Sequence, residues 1–296
     1  MFVSKYSAVE PSRQTGPYEQ FDAHHLIELG NIEDLNFFLK MGGDVNQRDD
    51  HGNTLLHTAV DQDNDSIADL LLEHPDIDTD ALNDNGETAL FSVQSEKMLD
   101  ILMFNCFDQE VKNENGYFPI HLAAFHARDE VVVALIKHYR VNPSQSTSDG
   151  ITPMHLAAQQ NHYELVDILL QLGGKVDAQT STGHTPLHFA ARAGHTNMRT
   201  ASKLLGHHGN ARYNLTTIEG KTALDLALET ARENRGNSRE HLISEVGTCI
   251  LFYQQKNAAK IRRITSSISF PKTTGIRVKR PGSPLVPEES KKRKKR

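Results

Sequence analysis

The chain has 296 residues, is 38% hydrophobic, and contains no Trp and only 6% aromatic residues, so its core has to be built from Leu, Ile, Val and Ala in thin layers rather than round a deep globular centre. The net charge of −6 conceals an asymmetry, because 14 of the 32 Lys/Arg but only two of the 38 Asp/Glu lie between Lys256 and Arg296, making an acidic body with a basic tail. Cys106 and Cys249 form no CxxC pair or zinc spacing and read as reduced thiols, no apolar run reaches a membrane span, and the first twenty residues lack the apolar core of a signal peptide.

Taken in chain order, residues 1–20 have no periodic pattern and are expected to be a flexible N-terminus. From Phe21 to Asn46 two short helical patterns close on Met41-Gly-Gly-Asp-Val-Asn46 and read as a capping helix pair. Glycines then recur at positions 52, 86, 116, 150, 183 and 220, at intervals of 34, 30, 34, 33 and 37. Two residues after each comes a related hexapeptide: Thr54-Leu-Leu-His-Thr-Ala59, Thr88-Ala-Leu-Phe-Ser-Val93, Phe118-Pro-Ile-His-Leu-Ala123, Thr152-Pro-Met-His-Leu-Ala157, Thr185-Pro-Leu-His-Phe-Ala190 and Thr222-Ala-Leu-Asp-Leu-Ala227. Glycine suits a tight turn with positive φ, the Thr hydroxyl can cap the N–H groups that open a helix, and Pro fits the first helical turn. A second helix follows in each unit, as in Glu164 to Leu172, whose apolar positions cover a wide face, and Gly173-Gly174 ends it. The second unit is irregular, being 30 residues long with Phe91 in the histidine place. In the last unit, Glu229 to Glu240 reads partly as an insertion between helices. Residues 239–255 read as a closing helix with Leu242, Val246 and Ile250 on one stripe.

Six copies agreeing in spacing and composition resemble the ankyrin repeat, whose signature is Thr-Pro-Leu-His-x-Ala at a period near 33 residues. The resemblance implies an all-α solenoid of about six repeats plus the N-terminal capping pair. The domain runs over residues 21–255, and each layer shares its apolar faces with its neighbours.

Sixteen histidines invite a metal or catalytic reading, but His57, His121, His155 and His188 occupy one repeat position. Stacked layers would space them roughly 10 Å apart, too far to share one zinc. The resemblance implies instead that they hydrogen-bond between repeats. His162 and His195 at the inter-helix turn read as structural, and His207-His208 as solvent-facing. No GxSxG, HExxH or phosphate loop occurs, and Cys249 sits on an apolar stripe. No cofactor, metal or catalytic residue is assigned.

Surface is what remains. In ankyrin proteins the turn tips and the exposed side of the first helix line a concave groove. By resemblance the tips here are Asp50, His51, Asn53, Asp84, Asn85, Glu87, Glu114, Asn115, Tyr117, Ser148, Asp149, Ile151, Thr182 and His184. The first-helix positions are Asp61, Gln62, Phe125, His126, Gln159, Gln160 and Arg192. The early tips are acidic, and Tyr117 and Phe125 add aromatic anchors. Such a face suits a protein partner with a basic segment and an apolar anchor, and the chain is expected to be a monomer.

From 256 to 296 the repeat pattern stops and a disordered basic tail is expected. Lys279-Arg280, a ten-residue spacer, and Lys291, Lys292, Arg293, Lys294, Lys295 and Arg296 are similar to a bipartite nuclear-localisation signal. That similarity implies a nuclear import receptor as a second partner, with the protein in nucleus and cytoplasm. Ser283-Pro284 in the spacer is a candidate phosphorylation site. The architecture resembles eukaryotic inhibitors of Rel-type transcription factors and the ankyrin effectors that intracellular bacteria send into host cells. Two alternatives stay open: an enzyme with an unrecognised site near residues 229–255, and nucleic-acid binding through the tail.

Overall fold

The computed structural model describes residues 22–105, 107–194, 199–206, 210–233 and 245–267. Several expectations lie outside them: the flexible 1–20 segment, Phe21, Cys106, His195, His207 and His208, the stretch 234–244 with Leu242, and the whole of 268–296 with its two basic clusters.

The described residues form helix pairs in the expected order. A first pair, α1 (Ala23–Glu28) and α2 (Ile32–Lys40), precedes six repeats. These are α3 (Leu55–Asp61) with α4 (Asp65–Leu72), a 3-10 turn (Ala89–Ser92) with α5 (Glu96–Phe104), and α6 (Pro119–Phe125) with α7 (Asp129–Lys137). Then come α8 (Pro153–Gln159) with α9 (Tyr163–Gln171), α10 (Pro186–Arg192) with α11 (Arg199–Leu205), and α12 (Ala223–Glu233) with α13 (Glu245–Ser267). First helices pack on first helices and second on second, so one apolar cluster runs from Ala23 through Leu56, Leu99, Ile120 and Leu165 to Ile250. Each fully buried Leu or Ile in it contributes about 1.5–3 kcal/mol through area removed from water.

Backbone bonds join successive turn tips: Asp84 N–H donates to His51 O (3.0 Å), Glu114 to Asn85 (3.0 Å), Ser181 to Asp149 (2.7 Å) and Ile218 to Thr182 (3.0 Å). This closeness bears on four of the six turn glycines, at 52, 86, 150 and 183. At Gly52, φ is +73° and a Cβ would stand 2.4 Å from Asp84 Oδ1, so strain and collision both exclude a side chain.

The buried histidines carry the same duty in four repeats. Thr54, Thr152 and Thr185 each donate a backbone N–H to the Nδ1 of His57, His155 and His188 (3.1, 3.1 and 3.2 Å), and Phe118 does so to His121 (3.3 Å). The opposite nitrogen, Nε2, meets a carbonyl of the next repeat: Glu87 (2.9 Å), Ile151 (3.0 Å), His184 (3.1 Å) and Lys221 (3.3 Å). A backbone N–H can only donate and a carbonyl only accept, so each ring is neutral with its proton on Nε2. Burial pushes the His121 and His155 rings down to about 4, and lowers His57 and His188 as well. The Thr hydroxyls in this ladder meet His Nδ1 at 2.8 Å, and each Thr–His pair closes a capping box at the start of α3, α8 and α10, in keeping with the capping role expected of the Thr from sequence. In the sixth repeat Asp225 takes the histidine's place: its carboxylate accepts from Thr222 N–H (2.9 Å), and Thr222 Oγ1 accepts from Asp225 N–H (3.3 Å), a reciprocal capping box.

Repeat two shows what the missing histidine costs. Phe91 is buried, the first helix shrinks to a 3-10 turn, and the buried Thr88 hydroxyl has no hydrogen-bond partner. Arg128 reaches back from the third repeat to bond the Phe91 carbonyl at 3.0 Å.

One expectation at the end of the chain needs correcting. Residues 229–233 continue α12, and the rest of the stretch in which a partial insertion was expected lies outside the described residues, as does the expected start of the closing helix over 239–244. The described closing helix, Glu245–Ser267, runs past the expected end at 255, so helix replaces the expected disorder over 256–267. The reason is local: Gln254 to Ile264 holds strong helix formers with no Gly or Pro. Two compact units divide the chain between Gln254 and Gln255. The first includes the start of α13, where Val246, Cys249 and Ile250 are buried.

Candidate functional site

The residues assigned to a groove fall into two depressions and a ridge of contacts between them. The first depression, about 640 Å³, gathers Asp50, Asn53, Asp61 and Gln62 from repeat one with Asp22, Glu28 and Asp49. Five carboxylates therefore face one arginine, Arg48, whose Nη1 donates to the carbonyls of Gly52 (2.9 Å) and Leu82 (2.6 Å). The two histidines of this wall are tied as well: His24 to Thr58 Oγ1 (2.7 Å) and the Gln47 carbonyl (3.2 Å), His57 to its ladder. For Asp49, burial acts to raise the carboxyl. The Asn53 amide and the N–H groups of His51 and Asn53 outweigh it and hold the carboxyl below the ordinary range. It stays an anion, as a cation-binding wall requires.

The second depression, about 810 Å³, is lined by Asp149, Ile151, Gln159, Gln160, Thr182, His184 and Arg192, with Thr180, Ser181, Phe189 and Ala193. His184 is lowered, first by burial and then by Arg192. With neutral amides, a neutral ring, Phe189 and one charge of each sign, this end favours apolar and polar contacts over strong charge selection.

Between the two, Phe125 is 37% exposed and stands edge-on to His126, with centroids 5.1 Å apart. Tyr117 is half-buried against His121 (5.8 Å). His126 is lowered by burial, then by Arg128 and His162. Asp84, Asn85, Glu114, Asn115 and Ser148 are exposed tips. Two candidates have internal duties: Asn53 Oδ1 accepts from Asn83 (2.9 Å) and Glu87 Oε1 from Asn113 (2.7 Å). Asp22, Glu28, Asp49, Ser181 and Phe189 were not singled out from sequence. Asp49 could have been found, since it stands three residues before the repeat glycine.

Near the proposed enzymatic stretch, Thr248, Cys249, Phe252 and Tyr253 line a mostly apolar depression of about 620 Å³ with Tyr163, Arg199, Ser202 and Lys203. Burial pushes the Cys249 thiol up, opposite to the activation a nucleophile needs. Among the described residues no cluster of His, Cys, Asp or Glu could hold a metal ion, and no helix is long and apolar enough to cross a membrane.

A family model described as ankyrin repeats matches the chain in three copies, over residues 23–102, 91–180 and 172–247. The human transient receptor potential cation channel subfamily A member 1 is 28% identical over 185 residues, 59% of this chain but 16% of that protein. The chicken nuclear factor NF-kappa-B p105 subunit is 31% identical over 148 residues, 48% of this chain and 15% of that protein. This chain therefore spans about a sixth of the length of these relatives. Among solved structures, the human ASB11 ankyrin repeat domain superposes with a TM-score of 0.63 at 24% identity, covering 78% of this chain and 96% of that domain.

Proposed function

Because the chain belongs to the ankyrin-repeat family, whose members generally mediate protein–protein interaction, we propose that it is an adaptor or regulator whose tip-and-first-helix face holds a partner segment. That segment is basic at one end and carries an apolar anchor. The observation that supports this is the first depression, where five carboxylates oppose one arginine already bonded to carbonyls. A lysine or arginine there finds uncompensated negative charge, while Phe125 and Phe189 offer apolar contact further along. The fold is typically a non-catalytic scaffold, and the raised Cys249 thiol speaks against a cysteine nucleophile in the last repeat.

The basic clusters at 279–280 and 291–296 belong to this proposal as a bipartite nuclear signal, giving a protein of nucleus and cytoplasm. A nuclear-factor subunit among the relatives supports a regulator of transcription factors, and a host-directed effector is the alternative setting. A photo-crosslinking residue placed at Gln62 and, separately, at Lys97 on an outer helix tests the groove in cell extract. Capture at Gln62 alone, lost at high salt and in an Asp50→Asn, Asp61→Asn variant, supports it. Equal capture from both positions overturns it. A fluorescent fusion whose location is unchanged by deleting residues 279–296 overturns the nuclear signal.

A further inference from the structure

The outer helices share a pattern that breaks at one end. Counted from the N-caps Asn64, Ser95, Arg128 and His162, the third residue is buried in α4, α5, α7 and α9: Ile67, Met98, Val131 and Leu165. The sixth residue is buried or half-buried in the same helices: Leu70, Ile101, Ala134 and Ile168. These positions meet the neighbouring layers. In α2, counted from its N-cap Asn31, they hold Asp34, which is exposed, and Phe37, which is 60% exposed, with Met41 50% exposed one turn on. Asp34 is what an end layer wants, since no repeat precedes it among the described residues and a terminal layer needs a polar outer face. Phe37 and Met41 run against that rule and leave a ring and a thioether in water.

Two of the charges around this apolar pair, Asp34 and Lys40, are self-complementary, while the exposed Glu33, one turn before Phe37, adds an acid to the same face. Asp34 and Lys40 lie three residues on either side of Phe37, and both are exposed. Two copies of α2 laid antiparallel about a twofold at Phe37 stack ring on ring. They also set each copy's Asp34 opposite the second copy's Lys40, so both ion pairs form at once, and the helix dipoles oppose favourably. Asp34 Oδ2 accepts from Asn31 Nδ2 at 2.7 Å, which holds the carboxylate in place. A parallel arrangement would instead bring Asp34 onto Asp34 and Lys40 onto Lys40.

We infer that this end face is a self-association surface, pairing two copies of the chain through antiparallel α2 helices. The occupant is a second copy because the charges fit the face to itself. One helix face is at the small end of specific interfaces, so the dimer is weak and reversible. It replaces the monomer expected from the sequence and leaves both groove depressions open in each copy.

Sedimentation velocity of the full chain over a concentration series tests this, with circular dichroism confirming that each variant stays folded. The expected result is a concentration-dependent shift from monomer to dimer, abolished by Phe37→Asp. Lys40→Glu should weaken association about tenfold or more, by replacing two attractions with two repulsions, and Asp34→Lys added to Lys40→Glu should restore it. A monomer at every concentration overturns the inference, as does a dimer indifferent to Phe37→Asp. A chain that dimerises only after residues 1–20 are removed also overturns it, because that segment is then the occupant. A charge swap that fails to restore association overturns the antiparallel pairing.

Discussion

Lowering the pH from 7.5 to 5 should unfold this protein far more readily than its surface carboxylates account for, and His121 and His155 are the reason. Each ring is fully buried, accepts a backbone N–H at Nδ1 and donates from Nε2 to the next repeat's carbonyl. A second proton would have to sit on Nδ1, which in both rings already faces a backbone N–H in a fully buried site. Burial accordingly holds both rings at about 4, against 6.5 for an unburied histidine. Between those values the unfolded chain binds protons that the folded chain refuses. Stability is therefore complete above about pH 6.5, falls as pH drops toward 4, and levels off below. At pH 5 each ring forfeits about 2 kcal/mol, so the pair forfeits about 4 kcal/mol, out of the about 5–15 kcal/mol usual for a domain. Urea unfolding at the two pH values, followed by circular dichroism, measures the loss. A His121→Phe, His155→Phe variant, copying the residue that repeat two already carries, should be weaker at pH 7.5, since Ile151 and His184 lose their donors. Its further loss on going to pH 5 should be about 4 kcal/mol smaller than that of the natural chain. If both proteins lose the same amount, the rings are not locked neutral and the reasoning fails.

Repeat two offers a converse test. Thr88→Val removes a buried hydroxyl that has no partner and should leave stability unchanged or raise it by about 1 kcal/mol. Thr152→Val, which breaks a 2.8 Å contact with His155, should cost about 1 kcal/mol in the same urea measurement. Gly52→Ala should lower the melting temperature, because φ is +73° and the new Cβ would collide with Asp84; a neutral result would deny the close approach of tips one and two. Ile250→Ala, at a fully buried position on α13, should cost about 2–5 kcal/mol. A loss under 1 kcal/mol would mean the last helix is not part of the stack.

The repeat was readable because every layer solves one packing problem with the same residues. The turn glycine, the histidine and the small Ala pairs leave a period that composition alone would hide. Phe91 marked the irregular second repeat, but not its 3-10 geometry or the orphaned Thr88, which arise from a bond that is missing rather than a residue that is present. The end of α13 was misjudged for a different reason. Losing the repeat pattern after Gln255 says nothing about helix propensity, and the Ala, Lys and Arg residues to Arg263 carry the helix on. The tip positions were legible one by one. Their grouping was not, because only folding brings Asp22 and Glu28 of the first pair beside Asp49 and Asp61 of the next layer, and only folding turns Asn53 and Glu87 inward to neighbouring asparagines.

The most direct test of a charge-selecting groove is a titration, at low and high salt, of the partner segment captured at Gln62 against the natural chain and the Asp50→Asn, Asp61→Asn variant. The expected result is affinity that falls with salt in the natural chain, with a roughly tenfold deficit in the variant that shrinks as salt rises. Equal affinity in both proteins at every salt concentration would contradict it.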